Sequence, residues 1–248
     1  MDSATLQQLL QTPAGTEPSE LRETHISWVI LRGEFVYKIK KPVNFDFLDF
    51  SSLAQRRHFC EEEVRLNRRF APELYLAVVP VTTGEQGPQL EGDGTIIDYA
   101  VKMRRFDEQQ LLDNIAARDG LSPALLRSLA RELTRLHNTL PACRPDPAGS
   151  EPGTPAALRA AIQQNFQQIR DYPLSAAEAD TLARVEQWTL QGYDTLLPVL
   201  QQRVLDGRVI DGHGDAHLGN ITLVDGAVRL FDCIEFNASL RIMDSMAE

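Results

Sequence analysis

The sequence predicts an α+β protein of two lobes, of which the first is mainly β and the second mainly helical. Two β-rich runs within residues 25–43 flank Arg32-Gly33-Glu34, which predicts a hairpin. Beyond residues 104–106, apolar residues recur mainly at helical spacing. We therefore expect a cleft between an N-terminal lobe at residues 1–103, built on an antiparallel sheet, and a helical lobe at residues 104–248.

Composition limits the classes of function. The chain of 248 residues carries a net charge of −10, which argues against an electrostatic grip on nucleic acid or on anionic lipid. Its three cysteines lie far apart, so neither a disulfide framework nor a zinc cage is expected. No signal peptide is recognisable, and no run approaches the roughly 18 apolar residues of a membrane helix. These features are typical of a cytoplasmic protein.

Each lobe has its own predicted elements. Those of the first lobe are a short helix at residues 3–11, a Pro- and Gly-rich loop at 12–19, a helix at 51–70 and strands at 74–81 and 95–103. On the second helix, Glu63 shares an apolar stripe with Phe59, Leu66 and Phe70, and the arginines are expected on the solvated face. The second lobe is predicted to contain helices at 123–140, 156–169 and 175–200, with a proline-rich loop at 141–155. Ser175 and Glu178 predict a capping box at the start of the last helix.

The most informative run is HGDAHLGN at residues 213–220, which is followed twelve residues later by Asp232. Phosphoryl transfer to a hydroxyl needs one carboxylate to orient that hydroxyl and accept its proton. It also needs oxygen ligands that hold Mg²⁺ on the triphosphate. Asp215 suits the first role. Asn220 and Asp232 suit the second, because amide and carboxylate oxygens are ligands that Mg²⁺ accepts.

The residues between Asn220 and Asp232 predict how these two side chains meet. The run 221–224 leads into an Asp225-Gly226 turn, and the run 227–231 returns. A hairpin of that length brings Asn220 and Asp232 to the same end. The motif is therefore consistent in space as well as in sequence.

The run HGDAHLGN resembles the HGDxHxxN signature of the aminoglycoside-phosphotransferase and choline-kinase-like branch of the protein-kinase fold. This resemblance implies ATP and Mg²⁺ as cofactors and a small-molecule hydroxyl as acceptor. It also implies that Asp232 matches the second magnesium-binding Asp of the family. A β-rich nucleotide-binding lobe and a helical lobe are the expected architecture.

The resemblance also assigns roles in the first lobe. Lys38 would be the strand lysine that contacts the α- and β-phosphates, and an acidic residue of the next helix would hold it. Of the three consecutive glutamates, Glu63 is favoured because it lies on the apolar stripe, and Glu62 is second. A hinge within residues 102–106 would bind adenine through backbone groups around Met103.

Two further runs, at residues 37–42 and 71–75, resemble the kinase-like half of bacterial proteins that carry a C-terminal P-loop ATPase domain. This chain contains no GxxxxGK[ST] motif, so that domain is expected only in a longer natural protein. The helical lobe of the family continues beyond its magnesium-binding Asp. This chain ends sixteen residues after Asp232, which favours a truncated second lobe.

Two other interpretations stay open from the sequence. The fold can serve as a nucleotide-sensing or partner-binding module without turnover. Alternatively, His213, Asp215 and His217 form an HxDxH pattern, which suits zinc or iron in a hydrolase. The glycines at 214 and 219 make the run loop-like and argue against that metal site.

Overall fold

The computed structural model describes residues 1–11, 19–45 and 48–248. The predicted loop at residues 12–19 lies outside the described residues except for Ser19. The helices are α1 (Ser3–Leu10), α2 (Leu53–Asn67), α3 (Leu112–Arg118), α4 (Pro123–Thr139), α5 (Pro155–Arg170) and α6 (Ala176–Leu205). The strands are β1 (Glu20–Glu23), β2 (Ser27–Arg32), β3 (Phe35–Lys40), β4 (Asn44–Phe45), β5 (Leu48–Asp49), β6 (Tyr75–Gly84), β7 (Gly87–Leu90), β8 (Thr95–Arg104), β9 (Val209–Asp211), β10 (Ile221–Val224), β11 (Ala227–Leu230) and β12 (Ile242–Asp244).

The N-terminal sheet has six antiparallel strands in the order β1-β2-β3-β8-β6-β7. The predicted hairpin is present as β2 and β3, and Gly33 in its turn has a φ of 56°, a conformation that glycine adopts without a steric penalty. Central β3 pairs with β2 on one side and with β8 on the other. The side chains at residues 38 and 40 are therefore carried on an internal strand of the sheet.

Helix α2 packs on this sheet and begins with a capping box formed by Ser52 and Gln55. Of the predicted stripe, Glu63, Leu66 and Phe70 are buried, whereas Phe59 is partly exposed and the neighbouring Cys60 is buried instead. The expectation that the arginines of the helix are solvated is wrong for Arg56. That side chain is buried, and its Nε donates to Asp98 on β8 at 2.9 Å. A buried charge needs a partner of opposite sign, and no local sequence pattern around Arg56 indicates that Asp98 is that partner.

The described residues divide into two compact units. One comprises residues 1–136 with 215–237, and the other comprises residues 137–214 with 238–248. The first unit contains the six-stranded sheet, α2 and the β10–β11 hairpin. The predicted boundary between two lobes at residue 103 stays a prediction.

The second unit contains α5, α6 and the β9–β12 pair. The predicted helices at 156–169 and 175–200 are confirmed, and α6 starts with the predicted Ser175–Glu178 capping box. The Tyr193 hydroxyl of α6 donates to the Pro155 carbonyl at the start of α5, at 2.9 Å. Across residues 1–11, 19–45 and 48–248, no helix is both long enough and apolar enough to cross a membrane.

Candidate active site

A cavity of about 270 Å³ lies within the first unit, close to the lower end of the range typical of ligand sites. Apolar side chains from the sheet form one part of its wall, among them Val29, Leu31 and Val36. Phe106 and Phe231 form another part, with ring centroids 5.1 Å apart in an edge-to-face arrangement. A largely apolar cavity of this size suits a flat ring better than a hydrated chain.

Charged side chains line the same cavity in two places. Arg22 of β1 pairs with Glu108, which begins a short 3₁₀ turn. Lys38 of β3 pairs with Asp232, with 2.5 Å between Nζ and Oδ1. An apolar cavity with an amine and a carboxylate at its wall offers contacts to a ring and to an anionic tail within one site.

Lys38 is held by α2 as well as by Asp232. Its Nζ lies 3.0 Å from Glu63 Oε1, an ion pair by distance whose angles fall outside hydrogen-bond geometry. Glu62 points elsewhere and pairs with Arg65. Burial lowers the pKa of the Lys38 amine, but the charges of Asp232 and Glu63 outweigh it and hold that pKa well above its ordinary value. Lys38 is therefore a permanent cation at neutral pH.

Lys40, two residues further along β3, belongs to the same group of charges. Its side chain is buried, and its Nζ donates to Glu63 Oε2 at 2.7 Å and to Glu235. Burial raises the pKa of Glu235, and the charge of Lys40 opposes part of that rise. Sequence reasoning missed Lys40 and Glu235. The alternation of β3 places Lys40 on the face of Lys38, but nothing local to Glu235 indicates a buried cation beside it.

Asp232 is placed by the hairpin that the sequence predicts. Strands β10 and β11 pair from Ile221 with Leu230 onward, and the N–H of Phe231 donates to the Asn220 carbonyl at 3.0 Å. Asn220 directly precedes the first strand and Asp232 comes just after the second, so both residues lie at the same end of one hairpin. Asp232 itself has a φ of 63°, which is unusual for a residue with a side chain.

Tyr75 of β6 holds the backbone of Asp232 in this conformation. The Asp232 N–H donates to the Tyr75 hydroxyl at 3.0 Å, and Tyr75 is almost completely buried. Burial raises the pKa of Tyr75 well above its ordinary value, so its hydroxyl stays protonated. An unusual backbone conformation persists where its surroundings fix it, as Tyr75 and Lys38 do here.

Asp215 and Asn220 lie on one loop with a short 3₁₀ turn at residues 218–220. The Asn220 amide nitrogen donates to the carbonyl and to the Oδ2 of Asp215, both at 3.0 Å. These donations fix the amide orientation, so its oxygen is the group that remains to bind a cation. The Asp215 side chain is 51% exposed, so an external hydroxyl can reach it.

His217 organises this loop. Its Nδ1 accepts from the Gly219 N–H at 3.1 Å, and its Nε2 lies 3.6 Å from Asp215 Oδ2. A side chain at Gly219 would come within 2.9 Å of the imidazole, so the loop needs glycine there. His213 belongs to the second unit and is buried, and its backbone N–H donates to Glu248. In the part of the chain that the structure describes, no three His, Cys, Asp or Glu side chains form a metal cluster, so the HxDxH interpretation gains no support.

Met103 lies at the end of β8, where it pairs with Val36 of β3 and Tyr75 of β6 and lines the cavity. The two following backbone N–H groups already have protein acceptors, since Arg104 donates to the Leu74 carbonyl and Arg105 to the Glu34 carbonyl. The predicted contact between adenine and the backbone near Met103 stays a prediction.

The charges of the site suit a divalent cation. Two lysines and three carboxylates meet in it, namely Lys38, Lys40, Glu63, Asp232 and Glu235, which gives a formal surplus of one negative charge. Asp232 is the most exposed of these carboxylates, with 44% of its side chain accessible. Mg²⁺ usually takes one or two protein oxygens and leaves its other positions to phosphates and water. The carboxylate of Asp232 and the amide oxygen of Asn220 fit that requirement.

An antiparallel sheet followed by helices, with a buried lysine–glutamate pair between sheet and helix, defines an α+β protein of the kinase-like class. A sequence model of the phosphotransferase enzyme family APH matches residues 33–234. The chain therefore belongs to this phosphotransferase family.

The curated relatives are longer proteins. An uncharacterized protein of Mycobacterium bovis is 30% identical over 233 residues, which cover 94% of this chain and 45% of that protein. Two uncharacterized proteins of Mycobacterium tuberculosis match to the same extent. The chain thus spans about half the length of the curated relatives that it matches.

Proposed function

We propose that this chain is an ATP-dependent phosphotransferase that moves the γ-phosphoryl group to a hydroxyl of a small molecule. The observation that carries the proposal is the position of Lys38 and Asp232 on the wall of an apolar cavity. The apolar wall would bind the adenine ring near Met103, and Lys38 would contact the α- and β-phosphates. Glu63 would hold Lys38 in place.

Asn220 and Asp232 would be the protein ligands of Mg²⁺, which when bound neutralises charge on the transferring phosphoryl group. Lys38 contacts Asp232 directly, so phosphate binding would displace this contact. The lysine then exchanges one anion for another and keeps its charge paired throughout.

Asp215 would accept the proton of the attacking hydroxyl. Its Oδ2 receives the amide hydrogen of Asn220, which orients the carboxylate beside the metal ligand. The second oxygen of Asp215 is then the one that takes the proton. Orientation of the hydroxyl contributes by holding the reacting oxygen in line with the phosphorus atom.

The acceptor and the wider protein are separate parts of the proposal. The site supports a hydroxyl acceptor by its chemistry, and residues of the helical region are expected to select it. We further propose that the natural protein carries a P-loop ATPase domain after this one. The length of the curated relatives supports this extension.

Calorimetric titration with ATP, with and without Mg²⁺, tests the nucleotide site. We expect binding that requires Mg²⁺ in the parent chain and is lost in Asp232→Asn. The matched control is Asp225→Asn, since Asp225 lies in the turn of the same hairpin and also has a positive φ, 51° against 63°. Binding that is indifferent to Mg²⁺ in the parent would contradict the assignment. Binding without turnover on any alcohol would favour the nucleotide-sensing module.

A further inference from the structure

The charges around Lys38 form a row of alternating sign, and the backbone of residues 232–235 closes this row into a ring. From Asp232 the contacts run to Lys38, Glu63 and Lys40, and they return to Glu235, three residues after Asp232. The ring ties three pieces of chain together: β3, α2 and the segment 232–235. Four of its five side chains are at most 13% exposed, and Asp232 alone faces the cavity with substantial exposure.

The two halves of the ring differ in what a ligand can reach. The half made by Lys38 and Asp232 lines the cavity, whereas Lys40 and Glu235 are not part of its wall. Lys40 is 1% and Glu235 is 4% exposed at the side chain, so neither can leave its partner for a phosphate without exposing a buried charge. Of the contacts in the ring, only the one between Lys38 and Asp232 can open to admit a ligand.

We propose that Lys40 and Glu235 are positioning residues, whose pair holds the magnesium-binding segment on the sheet while Lys38 exchanges Asp232 for phosphate. This inference rests on the proposed function. When the Lys38–Asp232 contact opens, segment 232–235 loses one of its two ionic attachments to β3. The Lys40–Glu235 pair keeps the other, so the carboxylate of Asp232 stays where a metal ion can use it.

Lys40 also fixes Glu63. One carboxylate oxygen of Glu63 contacts Lys40 and the other contacts Lys38, so the pair with Lys40 sets the rotation of the group that Lys38 follows. Groups that hold metal or phosphate ligands in place change affinity when they are removed, typically by about 10- to 100-fold. Lys40 and Glu235 act on the cation and phosphate sites through Asp232 and Lys38 and touch neither ligand.

The double variant Lys40→Gln/Glu235→Gln tests this inference, because two amides can still hydrogen-bond to each other and to Glu63. The readouts are the Mg²⁺ concentration that half-saturates ATP binding, the ATP affinity at saturating Mg²⁺ and cooperative thermal unfolding. We expect the half-saturating Mg²⁺ concentration to rise about tenfold, with a smaller change in the ATP affinity at saturating Mg²⁺. The control is Arg229→Gln/Glu73→Gln, which removes another ion pair between the hairpin and the N-terminal region, 2.6 Å long and outside the cavity.

The outcomes separate the two proposals. If the parent binds Mg-ATP and the Lys40/Glu235 variant needs no more Mg²⁺ than the Arg229/Glu73 control, the positioning role is wrong and the proposed function stands. If the parent does not bind Mg-ATP, both fail. If the double variant does not unfold cooperatively, Glu235→Gln alone decides, since it leaves the Lys40–Glu63 contact in place. It should shift Mg²⁺ half-saturation in the same direction, and an unchanged value overturns the inference.

Discussion

Glu63 divides its carboxylate between two lysines, with Oε1 3.0 Å from Lys38 Nζ and Oε2 2.7 Å from Lys40 Nζ. The glutamate side chain is completely buried. One carboxylate thus fixes the spacing of two cations on the same face of β3 and ties both to α2. The stability of this region and the shape of the cavity wall depend on the same group.

Replacing Glu63 by Gln should destabilise the protein. A neutral amide leaves two buried ammonium groups with less negative charge, and breaking a buried pair in this way costs about 3–5 kcal/mol. The matched control is Glu62→Gln, because Glu62 pairs with Arg65 on the exposed side of the helix, where such pairs contribute about 0–1 kcal/mol. Urea unfolding of both variants measures the difference. Equal losses of stability would show that Glu63 is not the ionic centre of this region.

Replacing Tyr75 by Phe should loosen Asp232. The substitution removes the acceptor of the Asp232 N–H, and a buried unsatisfied donor costs about 1–3 kcal/mol. Tyr37→Phe is a suitable comparison, since the Tyr37 hydroxyl bonds to Glu91 at 2.8 Å, away from the hairpin. Both variants should lose stability in urea, but only Tyr75→Phe should weaken Mg²⁺-dependent ATP binding. If ATP binding depends on Mg²⁺ equally in the two variants, Tyr75 does not support the metal site.

Replacing Asp215 by Asn should reduce turnover and leave ATP affinity nearly unchanged. A general base acts mainly in the transition state, and its loss typically costs about 10²- to 10⁴-fold in rate. The assay is ATP consumption with a panel of small alcohols, read beside calorimetric ATP affinity. Asp225→Asn supplies the control for an aspartate near the same hairpin. Parent-like turnover in Asp215→Asn would remove Asp215 from the mechanism.

The cysteines should react in a fixed order. Burial raises the pKa of the Cys60 thiol to about 12, so at pH 8 only about one molecule in ten thousand carries the reactive thiolate. Cys60 and Cys233 are also buried, whereas Cys143 is half-exposed. Iodoacetamide labelling followed by peptide mass analysis should find Cys143 modified first and Cys60 only after unfolding. Early labelling of Cys60 in the folded protein would contradict the packing of α2 on the sheet.

The Arg203–Asp244 pair should make the second unit sensitive to acid. Burial raises the pKa of Asp244, but hydrogen bonds from Arg203 and from the Met246 N–H outweigh it, so the pKa lies below its ordinary value of 3.8. A lowered pKa in the folded state gives stability that is fully present above pH 3.8 and is lost as pH falls through the folded-state pKa.

Thermal unfolding across pH checks this effect. Asp244→Asn should cost about 1 kcal/mol at pH 7, since both oxygens of Asp244 are bonded to Arg203, and the cost should shrink toward pH 3. Asp194→Asn removes a more exposed pair with Arg159 and should have little effect at either pH. A cost for Asp244→Asn that is constant from pH 7 to pH 3 would refute the linkage.

Local patterns predicted most of the secondary structure. The β2–β3 and β10–β11 hairpins and the capping box of α6 are where turn residues and periodicity place them, because these features depend on neighbours in sequence. The cost of burying a lone charge in an apolar stripe predicts that Glu63 has a cationic partner, and the family resemblance pointed to Lys38 as that partner. These are the features that a sequence read in short windows can predict.

Long-range pairs were beyond such reasoning. Arg56 reads as a solvated residue beside Arg57, and only the position of β8 brings Asp98 to it. Lys40 and Glu235 carry no local signal of their partnership, since it depends on how the segment after β11 meets β3. Sequence reasoning proposed Lys38, Glu63 and Asp232 as site residues, but it did not find the second ion pair, between Lys40 and Glu235.

Because a ribosome makes the chain from its N-terminus, the residues of the ring are synthesised at different times. Lys40 precedes Glu235 by 195 residues, and synthesis at about 5–20 residues per second separates their appearance by about 10 to 40 seconds. Within the ring, Glu63 is the one carboxylate made before Asp232 and Glu235, so it is the first counter-ion available to Lys38 and Lys40. The contacts of Lys38 with Asp232 and of Lys40 with Glu235 are therefore completed late in biosynthesis, after the β10–β11 hairpin has been made.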